Sequence, residues 1–299
     1  VDLGGKVALV TGASGGLGAE TARAFAAHGA HVVLAARNAE KAQAVAREIR
    51  ASTGSDRLDV EELELASLAS VRACADRVLA RHSALHILVN NAGVMACPLA
   101  RTPEGFELHL ASNHIGHFLL TGRLLPALRR GAPSRVVCLS SIGHRVAPVA
   151  LDDLHFERRP YNPWIAYGQS KTANVLFAVE LERRLGSAGV HAFAVHPGGI
   201  ETELNRHLTP EDLEAVVRHT PGENLAMKTV AQGAATSVYA ATAPELDGHG
   251  GSYLEDCHVA RVNDARASNE GVKSYAVDPG IARALWIATE EMVGERFGA

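Results

Sequence analysis

Tyr167 and Lys171 stand four residues apart in Tyr167-Gly-Gln-Ser-Lys171, at the head of a helical pattern. That spacing places both side chains on one helix face. A phenol with its ordinary pKa of about 10 is a poor proton carrier at neutral pH. A neighbouring ammonium favours the phenolate and lowers that pKa. The pair therefore suggests proton transfer, although an amphipathic helix also supplies the spacing by chance.

Upstream, the strand-like run Lys6–Thr11 leads into Gly12-Ala-Ser-Gly-Gly16-Leu-Gly18 and then a helix. Glycines let backbone amides approach a pyrophosphate, and a helix N-terminus favours its negative charge. The spacing is Gly-x3-Gly-x-Gly, which departs from the commoner GxGxxG. A bare tight turn is the plain alternative; the position in the first βα unit favours dinucleotide binding. The second strand ends in Ala35 and Ala36, where proteins that prefer NAD carry an acid for the ribose hydroxyls. Arg37 follows, and an Arg there can pair with a 2′-phosphate and stack on adenine. A solvated Arg at a helix start is the rival reading. The missing acid tips the balance toward NADP, with Lys41 one turn on as either a second positive charge or an exposed lysine.

These residues need a scaffold, and composition bounds it. The chain has 299 residues, 47% of them hydrophobic and 21% charged, which is ordinary for a folded core and excludes disorder as the main state. No stretch of about 18 apolar residues offers a membrane span. A net charge of -4 gives no electrostatic footprint for nucleic acid. Cys74, Cys97, Cys138 and Cys257 are far apart and read as free thiols in a reducing compartment. No apolar signal region precedes the first strand, so the expected location is the cytoplasm.

Lys6–Thr11, His31–Ala36, Leu58–Leu63, Leu85–Asn90, Arg135–Ser140, His191–His196 and Gly251–Leu254 read as strands. Several are apolar almost throughout, as expected of a parallel sheet covered on both faces. Helical patterns fall near 17–28, 39–51, 67–82, 104–130, 164–187, 229–243 and 280–293, with Thr102-Pro103-Glu104 as a helix start. The expectation is one α/β domain over 1–299, a doubly wound Rossmann-type fold with a seven-stranded parallel sheet. The segments 142–163 and 198–228, rich in Pro, His and charge, read as functional loops.

With these markers in order, the sequence resembles the short-chain dehydrogenase/reductase family over almost its whole length. The shared features are Thr11-Gly12-x3-Gly16-x-Gly18, Asn90-Asn91-Ala92-Gly93, Asn113, Ser141, Tyr167-x3-Lys171 and Pro197-Gly198 with Thr202. Within the family it is similar to the retinol-dehydrogenase-like and WW-domain-oxidoreductase-like branch. The stretches that carry this are Asn91–Pro98, Asn113–Phe118, Pro160–Trp164 and Tyr167–Asn174. The resemblance implies hydride transfer between a nicotinamide coenzyme and a carbonyl or alcohol. Tyr167 would be the acid–base, and Ser141 would bind the substrate oxygen. Lys171 would hold the ribose, and Asn113 would complete a water relay. Coenzyme contacts would come from Gly12, Ser14, Gly16, Leu17, Gly18, Arg37, Glu64, Leu65, Asn91, Ala92, Gly93, Tyr167, Lys171, Pro197, Gly198 and Thr202. Glu64 departs from the Asp usual at its place but keeps an acceptor. The branch acts on lipophilic carbonyls, and family habit suggests pairing of two chains through the 104–130 and 164–187 helices.

Other chemistries fit less well. His114 and His117 sit three apart on a helix, but no HExxH or carboxylate partner accompanies them, so no metal is expected. Ser141 lacks the GxSxG elbow of a hydrolase. A coenzyme-binding regulator would need only the glycine turn, and a sugar epimerase on this fold lacks support from a larger C-terminal substrate domain. Tyr161 and Trp164, at the end of the 142–163 segment, offer large apolar faces with polar tips. They point to a pocket for a bulky, mostly apolar carbonyl compound; packing of the helix start is the plain reading of Trp164. His144 is read as either a substrate contact or a polar loop residue, and Cys97 as either a wall of the site mouth or a small filler.

Overall fold

The structure, a computed structural model, describes residues 1–200, 204, 227–266 and 268–298. Strand and helix alternate as the patterns predict: β1 Val7–Thr11, α1 Gly16–Ala27, β2 His31–Ala36, α2 Ala39–Thr53, β3 Leu58–Glu62, α3 Leu68–Arg81 and β4 Ile87–Asn90. Then come α4 Gly116–Arg130, β5 Ser134–Leu139, α5 Pro163–Leu185, β6 Val190–His196, α6 Val230–Thr242, β7 Tyr253–Glu255, β8 His258–Val259 and α7 Pro279–Val293. The sheet runs β3-β2-β1-β4-β5-β6-β7-β8. Seven strands are parallel, and β8 pairs antiparallel with β7. The order reverses beside β1, and in such sheets ligands bind at that point, outside the carboxyl ends of the strands.

Alternation along the strands feeds two cores. Leu9, Val33 and Leu88 face α3, α4, α5 and α7, while Ala8, Val10, Val32 and Leu34 face α1, α2 and α6. Short polar residues start the helices. Asn38 accepts from the Lys41 amide, Ser67 from Ser70, and Asp278 from Ile281. Thr229 and Gln232 close a reciprocal capping box on α6.

Three expectations change. The eighth strand is short and turns back through Asp256 and Cys257, both at positive φ. Hairpins of this kind are announced by Asn-Gly or Asp-Gly, and Asp-Cys carries no such signal. The helix expected from Thr102 begins instead at Leu108, capped by the Glu107 carboxylate, which accepts from the His109 and Leu110 amides. Thr102-Pro103 opens a turn: Thr102 accepts from Gly105 and Phe106 in the stretch before it. The 104–130 pattern is also not one regular helix, because Ala111–Ile115 forms a π-helical turn, a feature frequent at functional sites.

Helix α7 packs against α4 and α5 of the same chain. Trp286 lies against Phe118 at 4.8 Å and Phe177 at 5.8 Å, with the Arg184 guanidinium 4.6 Å from its ring.

Candidate active site

Every strand that ends at the reversal delivers a residue to one crevice. β1 ends at Thr11, whose hydroxyl oxygen accepts the Asn91 and Ala92 amides at 2.9 and 3.0 Å. Asn91 returns its side-chain amide to the Thr11 carbonyl at 2.7 Å. This fixes the end of β4 against the glycine turn. Gly18 is forced by close approach: a Cβ there would lie 2.4 Å from the Gly12 carbonyl oxygen and 2.6 Å from Asn91 Nδ2. Replacing it with alanine must push α1 away from the turn. We expect Gly18→Ala to cost about 1–3 kcal/mol, seen as a fall in Tm of several degrees with weaker coenzyme binding. Unchanged melting and affinity would refute the packing assigned here.

The turn also fits a dinucleotide. Gly15, the residue before α1, makes no side-chain cap, so no side chain at that position takes up the first-turn amides of Gly16, Leu17 and Gly18. Unpartnered amides at a helix start suit a pyrophosphate. Ser14 lies half-buried in the same turn. Arg37 stands just beyond β2 with its side chain 73% exposed, 3.6 Å from Glu64 Oε2. Glu64 accepts from the Ala66 amide through its other oxygen, and buried Leu65 abuts Gly116 at the start of α4. Pro197 and Gly198 follow β6; Thr202 and most of the 198–228 segment lie outside the described residues.

Ser141, Tyr167 and Lys171 come together at the ends of β5 and α5. Asn162 caps α5 by accepting from the Trp164 and Ile165 amides, and Pro163 occupies its first turn. Tyr167 is 4% exposed and faces Ser141, whose hydroxyl oxygen accepts the Gly143 amide at 3.0 Å. Their closeness is fixed by Gly143, where a Cβ would sit 2.7 Å from Tyr167 Cε1 and 3.4 Å from Ser141 Oγ. Lys171 Nζ lies 5.6 Å from the Tyr167 ring centre and donates to the Leu139 carbonyl at 3.1 Å. The expected lowering of the phenol is not what this geometry alone produces. Burial pushes Tyr167 up to about 12, against the pull of the Ser141 hydroxyl, and burial brings Lys171 down to about 8. The desolvated pair is poised, with the phenol protonated.

Asn113 sits in the π-helical turn. Its Oδ1 accepts the Val94 amide at 2.8 Å, and its Nδ2 donates to the Val94 carbonyl at 3.0 Å and to Ser170 at 2.8 Å. Its side chain is thus engaged with protein on both atoms. Its carbonyl accepts from His117 Nδ1 at 2.9 Å. His117 is buried and held neutral, down to about 4, so its Nε2 accepts from Thr11 at 2.8 Å. One imidazole therefore joins the glycine-turn strand to Asn113. The i, i+4 spacing of Asn113 and His117 was the available signal. His114 faces away, toward Thr289 at 3.1 Å, so the two histidines do not converge on one point.

Other residues brace the site without an obvious sequence mark. His144 donates from Nδ1 to the Ser141 carbonyl at 2.7 Å and accepts the Lys273 amide at 3.2 Å, so it holds the loop and not the substrate. His196 Nδ1 accepts the Ile142 amide at 3.2 Å. Buried Glu107 contacts His109 at 2.8 Å, and His109 accepts the Cys97 amide at 3.1 Å. Tyr161 donates to the Cys97 carbonyl at 2.8 Å, which ties the 142–163 segment to the loop after β4. Cys97 and Cys138 are buried, Cys138 within β5.

Comparison with known proteins agrees with this geometry. Residues 6–213 match the short chain dehydrogenase family. The chain belongs to that family. It is 43% identical to human retinol dehydrogenase 11 over 295 residues, covering 98% of this chain and 87% of that protein. A solved protein from Mycobacterium paratuberculosis superposes with a TM-score of 0.76 at 35% identity, covering 100% and 97% of the two chains. RhlG of Pseudomonas aeruginosa, solved as an NADP active-site complex, matches with a TM-score of 0.67 at 27% identity over 85% of this chain and 95% of that one. This short chain dehydrogenase is an NAD(P)-dependent oxidoreductase acting on CH–OH groups, of the retinol-dehydrogenase-like branch. No helix among the described residues is long and apolar enough to cross a membrane.

Proposed function

We propose that this chain reduces a bulky, mostly apolar aldehyde or ketone, or oxidises the matching alcohol, with NADP(H) as its coenzyme. The observation that carries the reading is the juxtaposition of Ser141 and Tyr167 across Gly143, with Tyr167 buried beside Lys171 at the carboxyl edge of the sheet. When bound, the coenzyme supplies the hydride chemistry. Ser141 orients the substrate oxygen, and Tyr167 gives that oxygen its proton in reduction or removes it in oxidation. Lys171 grips the nicotinamide-side ribose and carries the positive charge that makes the phenolate accessible. Asn113 holds Val94, and its carbonyl, which already accepts from His117, offers its second lone pair to a water leading toward Lys171. Gly12, Ser14, Gly16, Leu17 and Gly18 cradle the pyrophosphate. Leu65, Asn91, Ala92 and Gly93 line the adenosine side, and Pro197, Gly198 and Thr202 the nicotinamide side. Glu64 faces the adenine, and Arg37 takes the 2′-phosphate, a choice supported by the missing acid on β2 and by NADP in RhlG.

The substrate class is supported by the names of the retinol dehydrogenases and by the Tyr161 and Trp164 rings ahead of Tyr167. Tyr161 turns its hydroxyl to the Cys97 carbonyl, and its ring meets Phe156 edge to face at 5.2 Å. The buried free thiols of Cys74, Cys97 and Cys138 support a reducing, cytoplasmic setting, and we read 1–299 as one catalytic domain. A screen that follows NADPH absorbance over aromatic, steroid, retinoid and short aliphatic carbonyls tests the reading. A ring-bearing carbonyl is expected to exceed a short aliphatic one in kcat/KM, and Trp164→Ala to narrow that ratio. A faster small substrate, or an unchanged ratio in the variant, would remove the pocket from this position.

A further inference from the structure

At the opposite pole of the sheet, three side chains converge where the family chemistry has no use for them. His31 opens β2, Asp59 lies on the edge strand β3, and His82 ends α3 as its cap. His31 Nε2 lies 2.8 Å from Asp59 Oδ2, and His82 Nε2 lies 3.0 Å from the same oxygen. The two imidazoles meet edge to face, 4.8 Å between ring centres. All three donor atoms lie within 4.8 Å of one another, the one such His/Cys/Asp/Glu group among the described residues. His82 is 9% exposed, Asp59 24% and His31 30%, so the cluster is sheltered but open to an entering ion.

We infer that His31, Asp59 and His82 form a site for one divalent transition-metal ion, of the class of Zn²⁺ or Co²⁺. Ligand bonds of about 2.0–2.1 Å at tetrahedral angles put ligand atoms roughly 3.3 Å apart. The two His–Asp separations therefore need to open by a few tenths of an ångström, and the two Nε2 atoms, within 4.8 Å of each other, to draw together by a rotation of the partly exposed His31 ring. Two imidazole nitrogens and one carboxylate oxygen suit these borderline ions, whereas Mg²⁺ and Ca²⁺ require mostly oxygen. On binding, each ring carries its hydrogen on Nδ1 and turns the Nε2 lone pair to the ion. Water fills the fourth position from the open side by His31. Arg81 lies on the other carboxylate oxygen, Oδ1, at 3.6 Å, and reaches Glu61 at 3.2 Å, which leaves Oδ2 to the histidines. That guanidinium weakens the attraction for a cation, so the site is a modest binder and a clasp for the sheet edge. It stands at the amino ends of β2 and β3, away from the crevice, and does not take part in turnover.

The test uses the full chain freed of metal with a chelator, then titrated with Co²⁺ alone. One equivalent should produce the intense visible bands of a tetrahedral Co²⁺ site, and Zn²⁺ should abolish them by competition. A hundredfold excess of Zn²⁺ over its Kd should raise Tm by roughly 3–5 °C. His31→Ala, His82→Ala and Asp59→Asn should each remove the bands and the Zn²⁺-induced shift, whatever their own starting Tm. His258→Ala, at exposed β8, should keep both. Loss of folding in one variant leaves the other two and the wild-type spectrum to decide. Absence of stoichiometric Co²⁺ bands in the wild type, or bands that survive all three substitutions, would overturn the site and leave a His–Asp–His hydrogen-bonded clasp.

Discussion

Tyr167→Phe will lower carbonyl turnover by about 10²-fold or more, the scale of a lost general acid. The substitution removes the hydroxyl but keeps the ring against Gly143 beside Ser141, so the packing survives. Coenzyme affinity should barely change, since the glycine turn and Lys171 remain. A second readout separates proton transfer from mere fit. Burial pushes the phenol up to about 12 and the Lys171 ammonium down to about 8. Below both values Tyr167 holds its proton, which is the form that reduction needs. Oxidation needs the phenolate, whose fraction grows about tenfold per pH unit below the pKa. The kcat/KM for alcohol oxidation should therefore climb from pH 6 to 8 while that for reduction stays level. In Tyr167→Phe the climb should vanish. Wild-type-like turnover, or a surviving pH slope, would remove Tyr167 from the proton path.

What could be read from the sequence is what repeats or has fixed spacing. Apolar strands betray the parallel sheet, and glycine at a strand–helix junction betrays the crevice. Tyr167 and Lys171 share a face because α5 is regular there. Departures arise where a local choice is made by a distant partner. Glu107, not Thr102, starts its helix because a buried carboxylate there meets two amides and His109 together. β8 exists because β7 offers it an edge, through a turn with no glycine. His117 attracts attention as a possible ligand, yet its partners are Thr11 and the Asn113 carbonyl, which only the fold brings near. The charge balance of the site was also hidden. Four-residue spacing says that Lys171 is near Tyr167, but not that its Nζ turns to Leu139 and that both groups are desolvated. The His31–Asp59–His82 cluster lay beyond reach for the same reason, since 51 positions separate its outer members and only the pairing of β2 with β3 and the packing of α3 on β3 join them.

Arg37→Ala should erase most of a preference for NADPH over NADH. In the wild type we expect that preference to be one to two orders of magnitude, since a charge-assisted contact is worth about 1.5–3 kcal/mol. Ala35 and Ala36 are buried and offer nothing to ribose hydroxyls, so NADH gains no compensating bond. Arg37 must first leave Glu64, which it meets at 3.6 Å on an open surface. Exposed pairs of this kind contribute only about 0–1 kcal/mol, so exchanging the carboxylate for a phosphate is favourable. The neighbouring α2 helps, because its N-terminus, capped by Asn38, points its positive end at the same place. The two carboxylate effects can be told apart with Glu64→Gln. Removing that charge frees Arg37 and relieves repulsion of the 2′-phosphate, so NADPH should bind more tightly while NADH changes little. Calorimetric titration of both coenzymes into the wild type and each variant reads all of this directly. Equal affinities in the wild type, or a preference untouched by Arg37→Ala, would show that Arg37 is a surface charge held by Glu64.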